Sequence, residues 1–225
     1  MSESFRVGAL LAFSGGILDA YTYLCRGGVF ANAQTGNIVL VGINAAQGKW
    51  TGALSAMIPV MAFMTGILIT ALMRKRFKTE DAHVLHWRHL MLIFEMGLLA
   101  VIAFFPVGWM DHMVNVIVSF VCSMQVQTFR KIHGYSFAST MCTGNLRNGT
   151  EALCRYIGTG NADERRRCLY SYGVILFFVL GAVAGALCSS RVPVLTIPLA
   201  ILMYIAAFIL MVRWDSLKQN TGDSR

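Results

Sequence analysis

The hydrophobic residues of this chain fall in six long blocks that are separated by shorter polar stretches. Each block matches the length of about 17–25 residues that an α-helix needs to cross a lipid bilayer. The pattern therefore predicts an all-α polytopic membrane protein with six transmembrane helices. The predicted spans are Val7–Leu24, Ala53–Met73, Leu90–Val107, Met113–Phe129, Leu169–Ser189 and Leu195–Val212.

Two further segments are too long and too apolar for ordinary loops. They are Gly27–Gly48, after the first span, and Gly134–Tyr156, after the fourth span. Both begin with glycine, carry small polar residues and contain the tripeptide Thr-Gly-Asn. We interpret both as re-entrant or broken helices, which enter the membrane without completing a crossing.

The two segments divide the chain into two halves of three spans each, at about residues 1–108 and 109–225. Spans two and five also share residues in register, among them Gly66 with Gly181 and Arg76 with Arg191. An odd number of spans per half places the second half upside down relative to the first. The chain is therefore predicted to be a single membrane domain made of two inverted three-helix repeats, an arrangement that many secondary transporters use.

Composition and charge agree with a membrane protein. Only 13% of the residues are charged, whereas a soluble domain carries about 25%. With both termini in the cytoplasm, all 19 Lys and Arg residues fall inside except Arg26, Lys49 and Arg191, as the positive-inside rule expects. An eight-span alternative would move one of the two large basic clusters outside. The net charge of +8 is thus assigned to cytoplasmic loops, and no nucleic-acid partner is predicted.

Several runs of the sequence form a pattern of their own. In the first half they are GGILDAYTYL and GVFANAQTGNIVLVG, and in the second half MQVQTFRKIHG and STMCTGNL. This pattern resembles the YoaK family of bacterial integral membrane proteins, over nearly the whole chain. The resemblance implies the bacterial cytoplasmic (inner) membrane as the location, but no substrate, because members are mostly described as domains of unknown function. Residues 123–127 depart from the pattern: the family's Asn is absent, and Gln127 supplies an amide one position later.

Two acidic residues lie inside predicted spans. Asp19 interrupts the first span, where a carboxylate costs at least about 2.5 kcal/mol at the bilayer centre. Such a residue faces a bundle interior or a water-filled cavity and marks an ion or substrate path, or it holds helices together by hydrogen bonds. Glu95 in the third span is a secondary candidate, with snorkelling to the cytoplasmic interface as its alternative.

The remaining candidates for a substrate or ion site are polar residues next to glycines. The Thr-Gly-Asn elements could cap half-helices and direct free N–H groups at an anion or unwound carbonyls at a cation, or they could serve only packing. Amides in span four could bind a ligand or join helices. These candidates are Thr35, Gly36, Asn37, Gln125, Gln127, Thr143, Gly144 and Asn145.

The motif content predicts no enzyme. The sequence contains no Gly-x-Ser-x-Gly, no His-Glu-x-x-His and no glycine-rich phosphate loop. The six cysteines form no Cys-x-x-Cys pair and no zinc pattern. No catalytic residue, cofactor or metal is therefore predicted, and an intramembrane enzyme built on Asp19 and Glu95 is only a third and weaker hypothesis.

Two hypotheses follow for the function. The first is an inner-membrane transporter or channel for an unknown small molecule or ion, whose site lies near the membrane midplane. The alternative is a non-transporting scaffold or assembly partner that dimerises through the faces around Gly66 and Gly181. The lipid bilayer is the predicted partner in both cases, and homo-oligomerisation is left open.

Overall fold

The computed structural model describes residues 4–78, 84–132, 135–136 and 141–220, and these are dominated by helices. The helices are α1 (Phe5–Cys25), α2 (Gln34–Ala46), α3 (Trp50–Lys78), α4 (Val84–Ile102), α5 (Asp111–Thr128), α6 (Cys142–Thr159), α7 (Ala162–Arg191) and α8 (Thr196–Asn220). A short 3₁₀ turn, Pro193–Leu195, precedes α8. Between α5 and α6, strands β1 (Lys131–Ile132) and β2 (Tyr135–Ser136) pair antiparallel.

Each of the six predicted spans overlaps one helix, namely α1, α3, α4, α5, α7 or α8. Helix α4 ends at Ile102, before Val107, the predicted end of the third span. Among the described residues, four helical stretches are both long and apolar enough to cross a membrane. They are Phe5–Cys25, Trp50–Arg76, Ala162–Arg191 and Pro193–Arg213. The assignment to the membrane is therefore supported by four helices, while the full set of six spans stays a prediction.

Helix α5 is one predicted span outside this group. It has 18 residues, close to the shortest length that crosses a bilayer. The polar residues of α5 lower its hydropathy, and Asn115, Ser119, Ser123 and Gln125 are all buried. Because these side chains point into the protein, α5 keeps an apolar outer face although its overall hydropathy is modest.

Helix α1 is the centre of the bundle. In its membrane-length window 72% of the residues are buried, against 22–33% in the other three stretches. It packs against α7 and α8, while α5 packs against α3 and α4. These contacts are equivalent when α1 is matched with α5, α7 with α3 and α8 with α4, which is the correspondence that two repeated halves require.

Glycines allow the two principal helix pairs to approach closely. A Cβ on Gly181 of α7 would lie 2.7 Å from the carbonyl carbon of Phe13 on α1, and one on Gly185 would lie 2.7 Å from the Ile17 Cα. In the other pair, a Cβ on Gly66 of α3 would lie 2.8 Å from the Phe120 carbonyl oxygen of α5. The glycine faces predicted for dimerisation are therefore used within one chain.

The two predicted broken segments each contain a helix. Gly27–Gly48 contains α2, and Gly134–Tyr156 contains most of α6, with residues 134 and 137–140 outside the described part. Helix α2 packs chiefly on α3, and α6 packs chiefly on α7. Each helix thus lies along the long helix that follows it.

Candidate functional site

The carboxylate of Asp19 is buried in the bundle and holds the loop that leads from α1 to α2. Its side chain is 7% exposed, and Oδ1 accepts a hydrogen bond from the Asn32 backbone N–H at 3.0 Å. The Asn32 side chain donates in turn to the Gly15 carbonyl oxygen at 3.0 Å. The loop is therefore folded back along α1, with Asp19 as its anchor.

The two Thr-Gly-Asn elements occupy the same position in α2 and α6. In both helices Thr, Gly and Asn are the second, third and fourth residues. The residues before the helices, Ala33 (φ −93°, ψ 74°) and Met141 (φ −97°, ψ 79°), have nearly the same backbone conformation and make no side-chain cap. The suggestion that Thr or Asn caps these helices is therefore wrong, because both lie inside the first turn.

The side chains of the two elements also match in exposure. Thr35 and Gly36 are exposed, as are Thr143 and Gly144, whereas Asn37 and Asn145 are 4% and 2% exposed. A Cβ on either glycine would have no atom within 4 Å. These glycines are thus not required for helix packing, and they leave the backbone of the first turn accessible at an exposed position.

Gln125 joins three helices through both ends of its amide. Its Nε2 donates to the Leu11 carbonyl oxygen of α1 at 3.0 Å, and its Oε1 accepts from the Tyr204 hydroxyl of α8 at 2.7 Å. Gln125 is fully buried, while Gln127 is half-buried. Both ends of the Gln125 amide therefore bind protein groups in this conformation. This arrangement matches the prediction that the amide joins helices.

Glu95 is fully buried in α4. Neither carboxyl oxygen has a hydrogen-bond partner among the described residues. The snorkelling interpretation is therefore wrong, because the side chain points into the bundle. Burying an ion without partners costs several kcal/mol, so Glu95 lowers the stability of the bundle unless its charge is compensated.

Buried polar side chains of four helices lie in otherwise apolar surroundings. They are Asp19 of α1, Glu95 of α4, Gln125 of α5 and Tyr204 of α8. The interior of the bundle therefore contains polar groups from α1, α4, α5 and α8.

Sequence reasoning missed Arg26, which it counted only as an outer basic residue. Its guanidinium is 1% exposed and makes five hydrogen bonds: two to the Tyr21 hydroxyl, one each to the carbonyl oxygens of Phe105 and Pro106, and one to Asp111 Oδ1 at 3.0 Å. All five N–H donors of the group are thereby used. Arg26 clamps the end of α1 to the α4–α5 connection and has no donor left for a ligand.

Helix α6 differs from α2 in carrying ion pairs. Arg147 donates to the Glu151 carboxylate at 2.9 Å, and Arg155 donates to Glu164 of α7 at 3.0 Å. The hydrogen bond and the charge of Arg147 lower the pKa of the Glu151 carboxyl. The two helices thus share a first turn, while α2 has an apolar exposed face and α6 a charged one.

The apolar helices and the polar interior define a helical integral membrane protein. The profile of a family described as "Protein of unknown function (DUF1275)" matches residues 7–212. Because this match covers most of the chain, the protein belongs to that family. A transmembrane location is supported by a relative whose name describes it as a transmembrane protein.

One curated relative is the UPF0700 transmembrane protein YoaK of Bacillus subtilis (strain 168). It is 26% identical over 139 residues, which are 61% of this chain and 62% of the relative. The match thus spans less than two thirds of the relative's length. The resemblance to the YoaK family is confirmed by these two findings. No solved structure matches the chain.

Proposed function

We propose that this protein is a transporter or channel for a small molecule or an ion, located in the bacterial cytoplasmic membrane with both termini inside. The observation that carries the proposal is the matched placement of Thr-Gly-Asn in α2 and α6. Two short helices that begin with the same exposed Thr-Gly turn and a buried Asn are what an inverted pair of interrupted helices provides. The equivalent helix pairs around α1 and α5 support two inverted halves of three spans.

The two interior acids support a transport path. A carboxyl group in an apolar bundle lowers stability unless it is compensated, so intramembrane acids generally mark a substrate or ion pathway. Asp19 and Glu95 are both buried inside the bundle. In the proposed mechanism these carboxyls take up and release a proton or pair with a cationic group. Asn37 and Asn145, with their neighbouring glycines, line the route.

The alternative function, a scaffold that dimerises through the glycine faces, has less support. Gly66 and Gly181 contact helix backbones of the same chain. A second copy would have to displace α5 or α1 to reach them. Dimerisation through those faces is therefore disfavoured relative to transport.

A ligand screen with a matched pair of variants tests the proposal. The purified protein is heated with members of a metabolite and ion library, and its unfolding midpoint is measured. A ligand that raises the midpoint of the unmodified protein should fail to do so in Asp19→Asn. The amide oxygen of the new Asn can still accept from the Asn32 N–H, so the fold should be retained.

Asp163→Asn is the matched control, because Asp163 is an exposed acid in the first turn of α7. This variant should keep the response to every ligand. A ligand that stabilises Asp19→Asn as much as the unmodified protein would argue against a site at Asp19.

A further inference from the structure

A cavity of about 170 Å³ lies between α2, α3 and α5, and neither Asp19 nor Glu95 lines it. Its polar lining comes from Asn37 and Asn44 of α2, Ser55 of α3, and His112 and Asn115 of α5. Among the described residues that line it there is no carboxylate, lysine or arginine. Any ligand that binds here therefore meets polar groups but no permanently charged side chain.

The orientation of two asparagine amides is fixed by backbone carbonyl groups. Asn44 Nδ2 donates to the Leu40 carbonyl oxygen at 2.8 Å, and Asn115 Nδ2 donates to the Arg26 carbonyl oxygen at 2.8 Å. A carbonyl oxygen can only accept, so neither amide can be turned round without losing its bond. In both residues the amide nitrogen is therefore engaged, and Oδ1 is the atom that remains to bind a ligand.

The orientation of the Asn37 amide follows from that of the Gln34 amide. The Gln34 side chain donates through Nε2 to the Ala31 carbonyl oxygen at 2.7 Å, which directs its Oε1 towards Asn37. Asn37 Nδ2 then donates to that Oε1 at 2.9 Å. Asn37 therefore also has its amide N–H engaged, and its Oδ1 is the third asparagine oxygen associated with this cavity.

Two further observations show a surplus of acceptors. Asn115 is 3% exposed, and its Oδ1 is buried with no hydrogen-bond partner among the described residues. Pro59, which also borders the cavity, has no N–H to donate to the carbonyl of Ser55 one turn earlier in α3. The Ser55 carbonyl oxygen therefore lacks the N–H donor that it would have in a regular helix, and Ser55 lines the same cavity.

We propose that this cavity binds a monovalent cation, either an alkali-metal ion or ammonium. Neutral carbonyl-type oxygens replace the hydration shell of such ions in selective pores, whereas divalent cations usually recruit carboxylates. The cavity has space for a cation with a few water molecules, since a water takes about 30 Å³. This inference rests on the proposed function in one respect, because the proposed function makes the bound cation a transported or coupling ion.

Binding can be measured on the purified full chain without any transport. The unfolding midpoint is recorded in KCl, NaCl, NH₄Cl and N-methyl-D-glucamine chloride, with the chloride concentration held constant. At least one of the three small cations should raise the midpoint relative to the bulky organic cation, and the rise should grow with its concentration. Equal midpoints in all four salts would overturn the proposal.

Two substitutions of the half-exposed Asn44 should change cation binding in opposite directions. Asn44→Leu removes an acceptor and should weaken the cation response at least about tenfold in concentration. Asn44→Asp adds a negative charge and should strengthen it. Gln47→Leu, on an exposed residue just after α2, should leave the response unchanged. A cation response that is the same in all three variants would place the cation elsewhere and refute the site.

The same assay separates this proposal from the proposed function. Asp19→Asn lies outside the cavity and should keep the cation response while losing the ligand identified in the screen. If the response survives but no solute is transported, the cation site stands and the transport function fails. If a solute is transported but no cation raises the unfolding midpoint, the transport function stands and the cation site fails.

Discussion

The crossing of α1 and α7 should be sensitive to a single methyl group at Gly181. Gly181→Ala would place a Cβ 2.7 Å from the Phe13 carbonyl carbon, where ordinary contact begins at 3.4 Å. The helices must then separate by at least about 0.7 Å, and a gap of that size forfeits about a quarter to a half of each contact's attraction. Backbone atoms form the obstacle, so no side-chain rotation can relieve it.

The expected loss of stability is about 1–3 kcal/mol, the usual cost of overpacking. For a chain of this size that corresponds to an unfolding midpoint lower by about 2–4 °C per kcal/mol. The assay is the fraction of purified protein that remains monodisperse on size exclusion after heating through a temperature series. Gly66→Ala should show a similar loss, because its Cβ would meet the Phe120 carbonyl oxygen of α5 at 2.8 Å.

Gly97→Ala is the matched control. Gly97 is exposed on α4, and a Cβ there would have no atom within 4 Å. Alanine should therefore be neutral, or stabilising by up to about 1 kcal/mol through its helix propensity. If Gly181→Ala were as stable as Gly97→Ala, the close α1–α7 crossing would be refuted.

Three further predictions concern buried polar groups and topology. Arg26→Met should destabilise the protein by about 3–5 kcal/mol, since it removes the ion-pair partner of Asp111 and the donor to the carbonyls of Phe105 and Pro106. Arg26→Lys should not restore stability, because an ammonium cannot supply five N–H donors. Thermal unfolding measures both variants, and full rescue by Lys would contradict the clamp. Gln125→Leu should cost about 1–3 kcal/mol, because the buried Tyr204 hydroxyl loses its hydrogen-bond acceptor. Adding Tyr204→Phe should recover part of that loss in a double-mutant cycle. Strictly additive losses would contradict the contact. Cys154 is exposed on α6, so a membrane-impermeant maleimide should label it only from the cytoplasmic side, and labelling in intact cells would reverse the predicted orientation.

The sequence predicted the helices well because each apolar block is long and continuous. It also located the two short helices, since Thr-Gly-Asn recurs at matching places in the two halves. It did not reveal that both tripeptides lie inside the first turn, because Ala33 and Met141 give no recognisable cap signal. Local patterns thus identify elements but not the geometry of their ends.

The polar interior could not be read in the same way, because its contacts join distant residues. Gln125 bonds to Leu11 and Tyr204, and Arg26 bonds to the α4–α5 connection. Which oxygens remain available at the cavity between α2, α3 and α5 depends on three separate amide contacts. One signal for Arg26 was present: it is a rare basic residue at the predicted outer side, and Asp111 lies on the same side.

Ion flux in proteoliposomes tests the central claim most directly. Charge displacement is recorded on a supported membrane after a concentration jump of K⁺, Na⁺, NH₄⁺ or a ligand from the screen. Unmodified protein and Asp163→Asn should both give a current or solute uptake, and Asp19→Asn should give none while the same amount of folded protein is present. Equal flux in Asp19→Asn, or no flux of any of these solutes in the unmodified protein, would contradict a transport path at Asp19.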